Sequence, residues 1–152
     1  MIGLIQRVRY AQVMVDDAPI AAIEAGLLVL VGIEQDDNLA TAARLVERLL
    51  SYRVLADSAG QMNESLRDQQ GGLLLVPQFT LAADTRKGNR PGFSPAASPE
   101  QAQPLFDAVC QQASQAHTPV AWGQFGADMQ VLLCNDGPVT FWLEARPDSR
   151  SR

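Results

Sequence analysis

The sequence predicts an α/β fold: a single domain in which mixed, largely antiparallel sheets form a partly closed barrel with two main helices packed outside. Three observations predict it. Short apolar runs bounded by Gly, Pro, Asp and Asn recur along the 152 residues, as buried strands do. Two longer segments carry apolar residues at helical spacing behind polar capping residues. The order is strands, helix, strands, helix, strands, ending on an expected antiparallel hairpin.

Residues 2–8 and 10–15 read as two strands. In the second, Ala11, Val13 and Val15 alternate with Tyr10, Gln12 and Met14. Asp16-Asp17-Ala18-Pro19 turns the chain into a short strand at 20–23. Residues 27–33 are apolar on both faces and are expected to be a central strand. Asp36 or Asp37 is expected to cap a helix whose buried face carries Leu39, Ala42, Val46, Leu49 and Leu50. A strand is expected at 54–56, a turn at 57–60 leading into 61–63, and a buried strand at 73–76 after Gly71-Gly72. Residues 82–98 show no periodicity, and so long a loop in a compact domain usually serves function. Ser98, Pro99 and Gln101 form a capping-box pattern for a second helix. Its buried stripe is Ala102, Leu105, Phe106, Val109, Cys110 and Ala113, with Pro104 as a blemish. Strands follow at 120–125 and on either side of Gly137-Pro138. Residues 145–152 are polar with no apolar face to dock, so the domain is read as 1–145, with 146–152 a flexible tail.

Composition narrows the function classes. Apolar residues make up 47% and charged residues 19%, an ordinary globular balance. The longest apolar run, Leu27-Leu28-Val29-Leu30-Val31, is far too short to span a bilayer. The first residues lack the order of a signal peptide, so a cytoplasmic protein without a membrane partner is the expectation. Cys110 and Cys134 show no metal or redox spacing and read as small buried apolar groups. With one histidine, His117, no metal or other cofactor is expected. A net charge of −5 argues against broad electrostatic capture of a nucleic-acid duplex, though not against gripping one RNA end. Basic residues group at Arg7 and Arg9, at Arg86, Lys87 and Arg90, and at Arg146, Arg150 and Arg152.

Two stretches stand out. Val76-Pro77-Gln78-Phe79-Thr80-Leu81 leaves a buried strand and enters the long loop, a common place for a binding site. Asn135-Asp136-Gly137-Pro138-Val139-Thr140 lies between two apolar runs. Asp-Gly is a hairpin signal, while proline belongs at a strand start, a bulge or an edge. The stretch reads either as a turn or as rigid backbone carbonyls presented to a ligand.

Together these stretches resemble the two signature motifs of the D-aminoacyl-tRNA deacylases of the bacterial and eukaryotic type. The first is usually Ser-Gln-Phe-Thr-Leu there, and the second contains Gly-Pro-Val-Thr. The resemblance runs from Met1 to about Leu143. It takes in Ile5-Gln6-Arg7-Val8, Ala25-Gly26-Leu27, Gly60-Gln61-Met62-Asn63, Ala82-Ala83-Asp84-Thr85, Arg90-Pro91, Phe93-Ser94 and Ala127-Asp128-Met129. Pro77 departs from the usual serine, and Gly126 stands where alanine is common.

The resemblance implies hydrolysis of the ester joining a D-amino acid, or glycine, to the terminal adenosine of tRNA. It implies a homodimer in which a cis Gly137-Pro138 peptide reaches into the partner's site and rejects L-aminoacyl esters. A Ser-His-Asp plan finds no support, because His117 lies outside both motifs. The catalytic candidates are therefore Thr80, Gln78 and Phe79. Thr80 could attack the ester, although no base is visible. In the favoured reading it orients the ester and, with nearby amides, stabilises the oxyanion while the substrate's 2′-hydroxyl assists water. In a third, it only ties down the loop. Gly137 and Pro138 are the candidates for chiral selection, held by Arg7. Phe125 and Met129 either shape the adenosine or aminoacyl pocket or pack the core. Two rivals remain: a related enzyme that removes misattached L-amino acids, and a non-catalytic RNA-binding protein on the same scaffold.

Overall fold

The computed structural model describes residues 1–148. Its first element is a long strand, β1 (Ile2–Val15), where two strands were expected. Asp16 and Asp17 take positive φ, 50° and 62°, which suits a tight hairpin turn. The turn leads to β2 (Ala18–Ile23) and then β3 (Gly26–Gly32). Strand β1 is continuous because its two halves find different partners on one edge: residues 2–8 pair with β3, and residues 11–15 with β2. Pro19 is tolerated because β2 ends the sheet.

Helix α1 (Leu39–Ser51) is capped by Asn38, whose side chain accepts from the Thr41 N–H while Thr41 Oγ1 accepts from the Asn38 N–H. The expected caps, Asp36 and Asp37, are thus corrected. Asp37 is buried and accepts from the Met1 amino nitrogen at 2.7 Å and the Glu34 N–H at 2.7 Å. Burial pushes its carboxyl above the ordinary value. Leu39, expected inside, is 63% exposed. With Asn38 as the cap, the stripe falls on Ala42, Leu45, Val46, Leu49 and Leu50. Next come β4 (Leu55–Ala56), β5 (Met62–Glu64) and α2 (Leu66–Gln69). Helix α2 was not expected, yet Ser65 and Asp68 form a reciprocal box of the Ser-x-x-Asp kind.

Strand β6 (Gly72–Pro77) runs into a 3₁₀ turn (Phe79–Ala82), and an irregular segment leads to α3 (Pro99–Ala116). Helix α3 buries the expected stripe and passes through Pro104. Ser98 accepts from the Gln101 N–H, but the Gln101 side chain bonds the Gln35 carbonyl instead of closing the box. Strand β7 (Val120–Trp122) is shorter than expected. The last element, β8 (Gln130–Glu144), corrects the expected hairpin. Its two halves do not pair with each other; both lie antiparallel to β1. Between Gln6↔Thr140 and Val8↔Asn135, two steps along β1 match five along β8. Residues 136–139 therefore form an enlarged bulge on an otherwise continuous strand.

The sheet runs β2-β1-β3-β6-β7, with β8 on the remaining edge of β1. The β3–β6 and β6–β7 pairs are parallel, and β1 is antiparallel to all its partners. It curls into a nearly closed, barrel-like surface that buries both faces of β3 and β6. Leu27, Val29, Leu73 and Leu75 face α1 and α3, where they join Leu45, Leu49, Phe106 and Val109. Leu28, Leu74 and Val76 face inward with Val8, Ala11, Val13 and Ile23. The unbroken apolar runs follow from this double burial. Ala145 is buried, with its N–H on the Met1 carbonyl, and Arg146 pairs with Glu34 and Glu144. Ordered contacts thus continue past the expected start of the tail. Residues 149–152, including Arg150 and Arg152, lie outside the described residues. Among the described residues, no helix is long and apolar enough to cross a membrane.

The placement of α1 has a measurable consequence. Leu49→Ala, at a fully buried site, should lower unfolding free energy by about 2–5 kcal/mol in denaturant titration. Leu39→Ala should change it by less than about 0.5 kcal/mol; a large effect at Leu39 would contradict this helix orientation.

Candidate functional site

A cavity of about 620 Å³ opens at the C-terminal ends of β3 and β6. Its walls come from the ends of these strands, the segment after Phe93, the start of α3, and the loop between β7 and β8. Gln78, Phe79, Phe125 and Met129, all singled out from the sequence, line it. The backbone explains how β6 delivers them. Along β6, the Gly72 and Gln78 N–H groups donate to Ala25 and Val31 on the β3 side, whereas the Leu73 N–H donates to Pro119 on the β7 side. By alternation, the Pro77 nitrogen faces the β7 side, and that ladder ends with Gly123 N–H on the Leu75 carbonyl. Proline at 77 therefore costs no ladder bond.

The 3₁₀ turn then packs directly on Gly32, where an added Cβ would sit 2.9 Å from Leu81 Cβ and 3.3 Å from the Gln78 carbonyl oxygen. The Gln78 side-chain amide donates to Thr80 Oγ1 at 2.5 Å. Thr80 is exposed and follows the lining residues Gln78 and Phe79, but does not itself line the cavity. The Phe79 and Thr80 amides head the turn, where it has no preceding carbonyl to receive them. Phe79 is 60% exposed and meets Phe93 at 5.2 Å between ring centroids. Phe93 was noted only as part of a motif. Its role at the wall was illegible because residues 82–98 carry no periodic signal. Bridges from Asp84 to Gly92 and from Glu34 to Ala96 hold this segment. Phe125 also reaches toward the core, 6.3 Å from the Phe106 ring.

Gly137 and Pro138 are exposed and do not line this cavity. Their bulge is stapled by Asn135, whose Oδ1 accepts from the Val139 N–H at 3.1 Å and whose amide donates to Thr140 Oγ1 at 2.9 Å. Arg7 Nε donates to the Asp136 carbonyl at 3.1 Å, and its Nη1 to the Val54 carbonyl at 3.2 Å. The Gly137–Pro138 peptide is cis, and Gly137 has φ +129°. A Cβ there would meet Arg7 Nη2 at 3.1 Å, so only glycine fits. Arg7 and Asp136 border a second cleft of about 800 Å³ together with Gly26 and Gly72, at the opposite ends of β3 and β6. Arg7 pairs with Leu27, five positions before Gly32. At ~3.3 Å per residue, roughly 16 Å of strand separates the bulge from the 3₁₀ turn of the same chain.

The remaining reactive groups lie elsewhere. His117 is buried, with Nε2 2.6 Å from the Gly71 carbonyl, at the far end of β6 from Thr80. Cys110 is buried in the helix-side core, and burial pushes its thiol up to about 12. Neither can serve Thr80 as base or replace it as nucleophile. Among the described residues, no group of three His, Cys, Asp or Glu could hold a metal ion.

Comparison with known proteins finds relatives over nearly the whole chain. Residues 4–144 match the family model described as D-Tyr-tRNA(Tyr) deacylase. A D-aminoacyl-tRNA deacylase of Alkalilimnicola ehrlichii is 60% identical over 149 residues, 98% of this chain and 99% of that protein. One from Herminiimonas arsenicoxydans is 59% identical over 147 residues, covering 97% and 99%. Among solved structures, the c-Myc DNA unwinding element binding protein superposes with a TM-score of 0.92 at 38% identity, over 97% of this chain and 100% of that one. A probable eukaryotic D-amino acid tRNA deacylase shares the fold at a TM-score of 0.85 and 17% identity, over 94% and 98%. A match that spans both motifs and nearly every element between them places the chain in the D-Tyr-tRNA(Tyr) deacylase family.

Proposed function

We propose that the protein hydrolyses the ester of D-aminoacyl-tRNA, and of mischarged glycyl-tRNA, releasing the free amino acid and tRNA, in the cytoplasm and as a homodimer. The names of its relatives support the reaction. One observation carries the two-chain reading: Gly137-Pro138 and the cavity beside Thr80 lie at opposite ends of β3 and β6. If one substrate meets both, a second copy supplies the bulge. Strand β8 supports such a dimer, because among the described residues it pairs only with β1, and it exposes Leu132, Phe141 and Trp142, each by more than a third.

In this reading the terminal adenosine enters the apolar cavity between Phe125, Met129 and the Phe79–Phe93 pair. The ester carbonyl lies at the Phe79 and Thr80 amides, with Thr80 oriented by Gln78. Water attacks the carbonyl carbon and gives its proton to the ribose 2′-hydroxyl system. The oxyanion gathers at the amides, and the bond to the ribose oxygen then breaks, with that oxygen taking up the proton. Carbonyls of the partner's bulge accept from the α-ammonium and occupy the space an L side chain needs. Glycine, which has no side chain, passes. Pro77 brings no hydroxyl to this wall. A second reading, nucleic-acid binding without turnover, draws on the solved relative named for binding a DNA unwinding element.

Purified protein with EDTA should deacylate D-tyrosyl-tRNA and spare L-tyrosyl-tRNA; binding without turnover would establish the second reading instead. Replacing the terminal adenosine with 2′-deoxyadenosine should cut kcat by roughly 10²-fold or more. Thr80→Ala should also cost about 10²-fold, and mass spectrometry of quenched reactions should find no acyl-enzyme. An adduct on Thr80 would mean that the hydroxyl itself attacks.

Subunit mixing tests the two-chain site. Thr80→Ala and Pro138→Ala chains, each impaired alone, should recover about a quarter of wild-type activity when exchanged at equal amounts. Random pairing makes half the dimers mixed, and each mixed dimer holds one intact site. No recovery would place both motifs in one chain's site.

A further inference from the structure

Residues 84–92 form a hairpin at the rim of the cavity. The Asp84 N–H donates to the Gly92 carbonyl at 2.7 Å, and the Gly92 N–H returns a bond to Asp84 at 2.9 Å. Phe93, the next residue, is already in the cavity wall. Gly88 at the tip has φ +67°, and nothing lies within 4 Å of its added Cβ, so the tip stands in open space.

The hairpin has an unusual charge for this chain. Between Phe79 and Pro99 the sequence carries Arg86, Lys87 and Arg90 against Asp84 alone, while the chain as a whole has a net charge of −5. Arg86 is internally engaged: Nε and Nη2 donate to the two Asp84 carboxylate oxygens, each at 2.9 Å. That pairing, with the Arg86 N–H also on Asp84, holds its carboxyl at about 2. Lys87 and Arg90 are exposed and have no ion pair among the described residues. Two acidic residues stand next to other wall residues. Glu100 follows the wall residue Pro99, and Asp128 lies between Ala127 and Met129; both are exposed. The segment leading into Phe93 is thus cationic, while the acidic neighbours lie beside Pro99 and Met129.

We propose that Lys87 and Arg90 hold backbone phosphates of the single-stranded RNA 3′ end leading into the cavity, with Arg86 and Asp84 bracing the hairpin that carries them. This rests on the deacylase reading and adds the path of the polyanion. Exposed aromatic rings beside free cations are the usual means of gripping single-stranded nucleic acid. On an acidic protein the grip must be local, because the net field repels RNA.

The test compares D-tyrosyl-tRNA with 3′-O-D-tyrosyl-adenosine, which has no phosphate. In Lys87→Ala/Arg90→Ala, the ratio of kcat/KM on tRNA to that on the nucleoside ester should fall, through KM and not kcat. The slope of log kcat/KM against log salt on tRNA should flatten by about 1.4, at ~0.7 per lost phosphate contact. Lys87→Arg/Arg90→Lys should keep the wild-type slope. Arg44→Ala/Arg53→Ala, which removes equal charge from exposed sites elsewhere, should also keep it. An unchanged slope in the hairpin variant, or equal losses on both substrates, would overturn the proposal. If wild type hydrolyses neither substrate, the deacylase reading fails. The proposal is then decided by fluorescence anisotropy with a labelled acceptor-stem RNA hairpin ending in ACCA: a flatter salt slope of Kd in Lys87→Ala/Arg90→Ala supports it, and an identical slope overturns it.

Discussion

Strand β1 is the common partner on which the architecture depends. One of its edges is divided between β3 and β2, and the other is paired along nearly its whole length by β8. A single ladder bond adds only about 0.5–1.5 kcal/mol net. A continuous ladder nevertheless leaves few buried amides unpaired, which would cost more. Because β8 is held on both sides of residues 136–139, the chain there can only bulge outward. Arg7, itself on β1, then ties the Asp136 carbonyl and fills the space that a side chain at residue 137 would need. The bulge is rigid because the strands around it are.

The parallel pair β3–β6 does different work. Its residues alternate between a helix-side core and an inner core, so both strands are apolar throughout and fixed on both faces. Rigid strands with irregular segments at their ends suit a binding site. At the C-terminal end, Gly32 lets the 3₁₀ turn sit close against β3, and Gln78 is anchored to Val31 before its side chain reaches Thr80. At the other end lie Arg7 and the bulge. The sheet therefore keeps the two motifs apart within a chain as firmly as it holds each in place.

Much of this was legible in the residues. The stripe of α3 came out as expected because six apolar positions at helical spacing leave one face to bury. The apolar runs in β3 and β6 announced burial on both sides. Polar caps were legible as a class but not individually: Asn38 took the position expected of Asp36 or Asp37, because Asp37 is drawn to the Met1 amino group, and Leu39 turned outward as a result. The Ser65–Asp68 box was present in the sequence, but α2 was not expected, because a single four-residue turn leaves no periodic stripe to read. Phe93 carried no such signal, since an irregular loop acquires its shape only from what it packs against.

What the sequence by itself determined is chemistry and local preference: which residues form helices and strands, which segments cannot be regular, and which two motifs define the family. Tertiary structure decided partnership. Asp-Gly-Pro between two strand-forming runs is compatible with a hairpin or a bulge, and local conformational energies scarcely distinguish them. Pairing of both runs with β1, 116 or more residues away, settled the matter. The same long-range pairing placed Thr80 and Gly137-Pro138 at opposite ends of the sheet, a separation invisible in a linear chain because it depends on strand register.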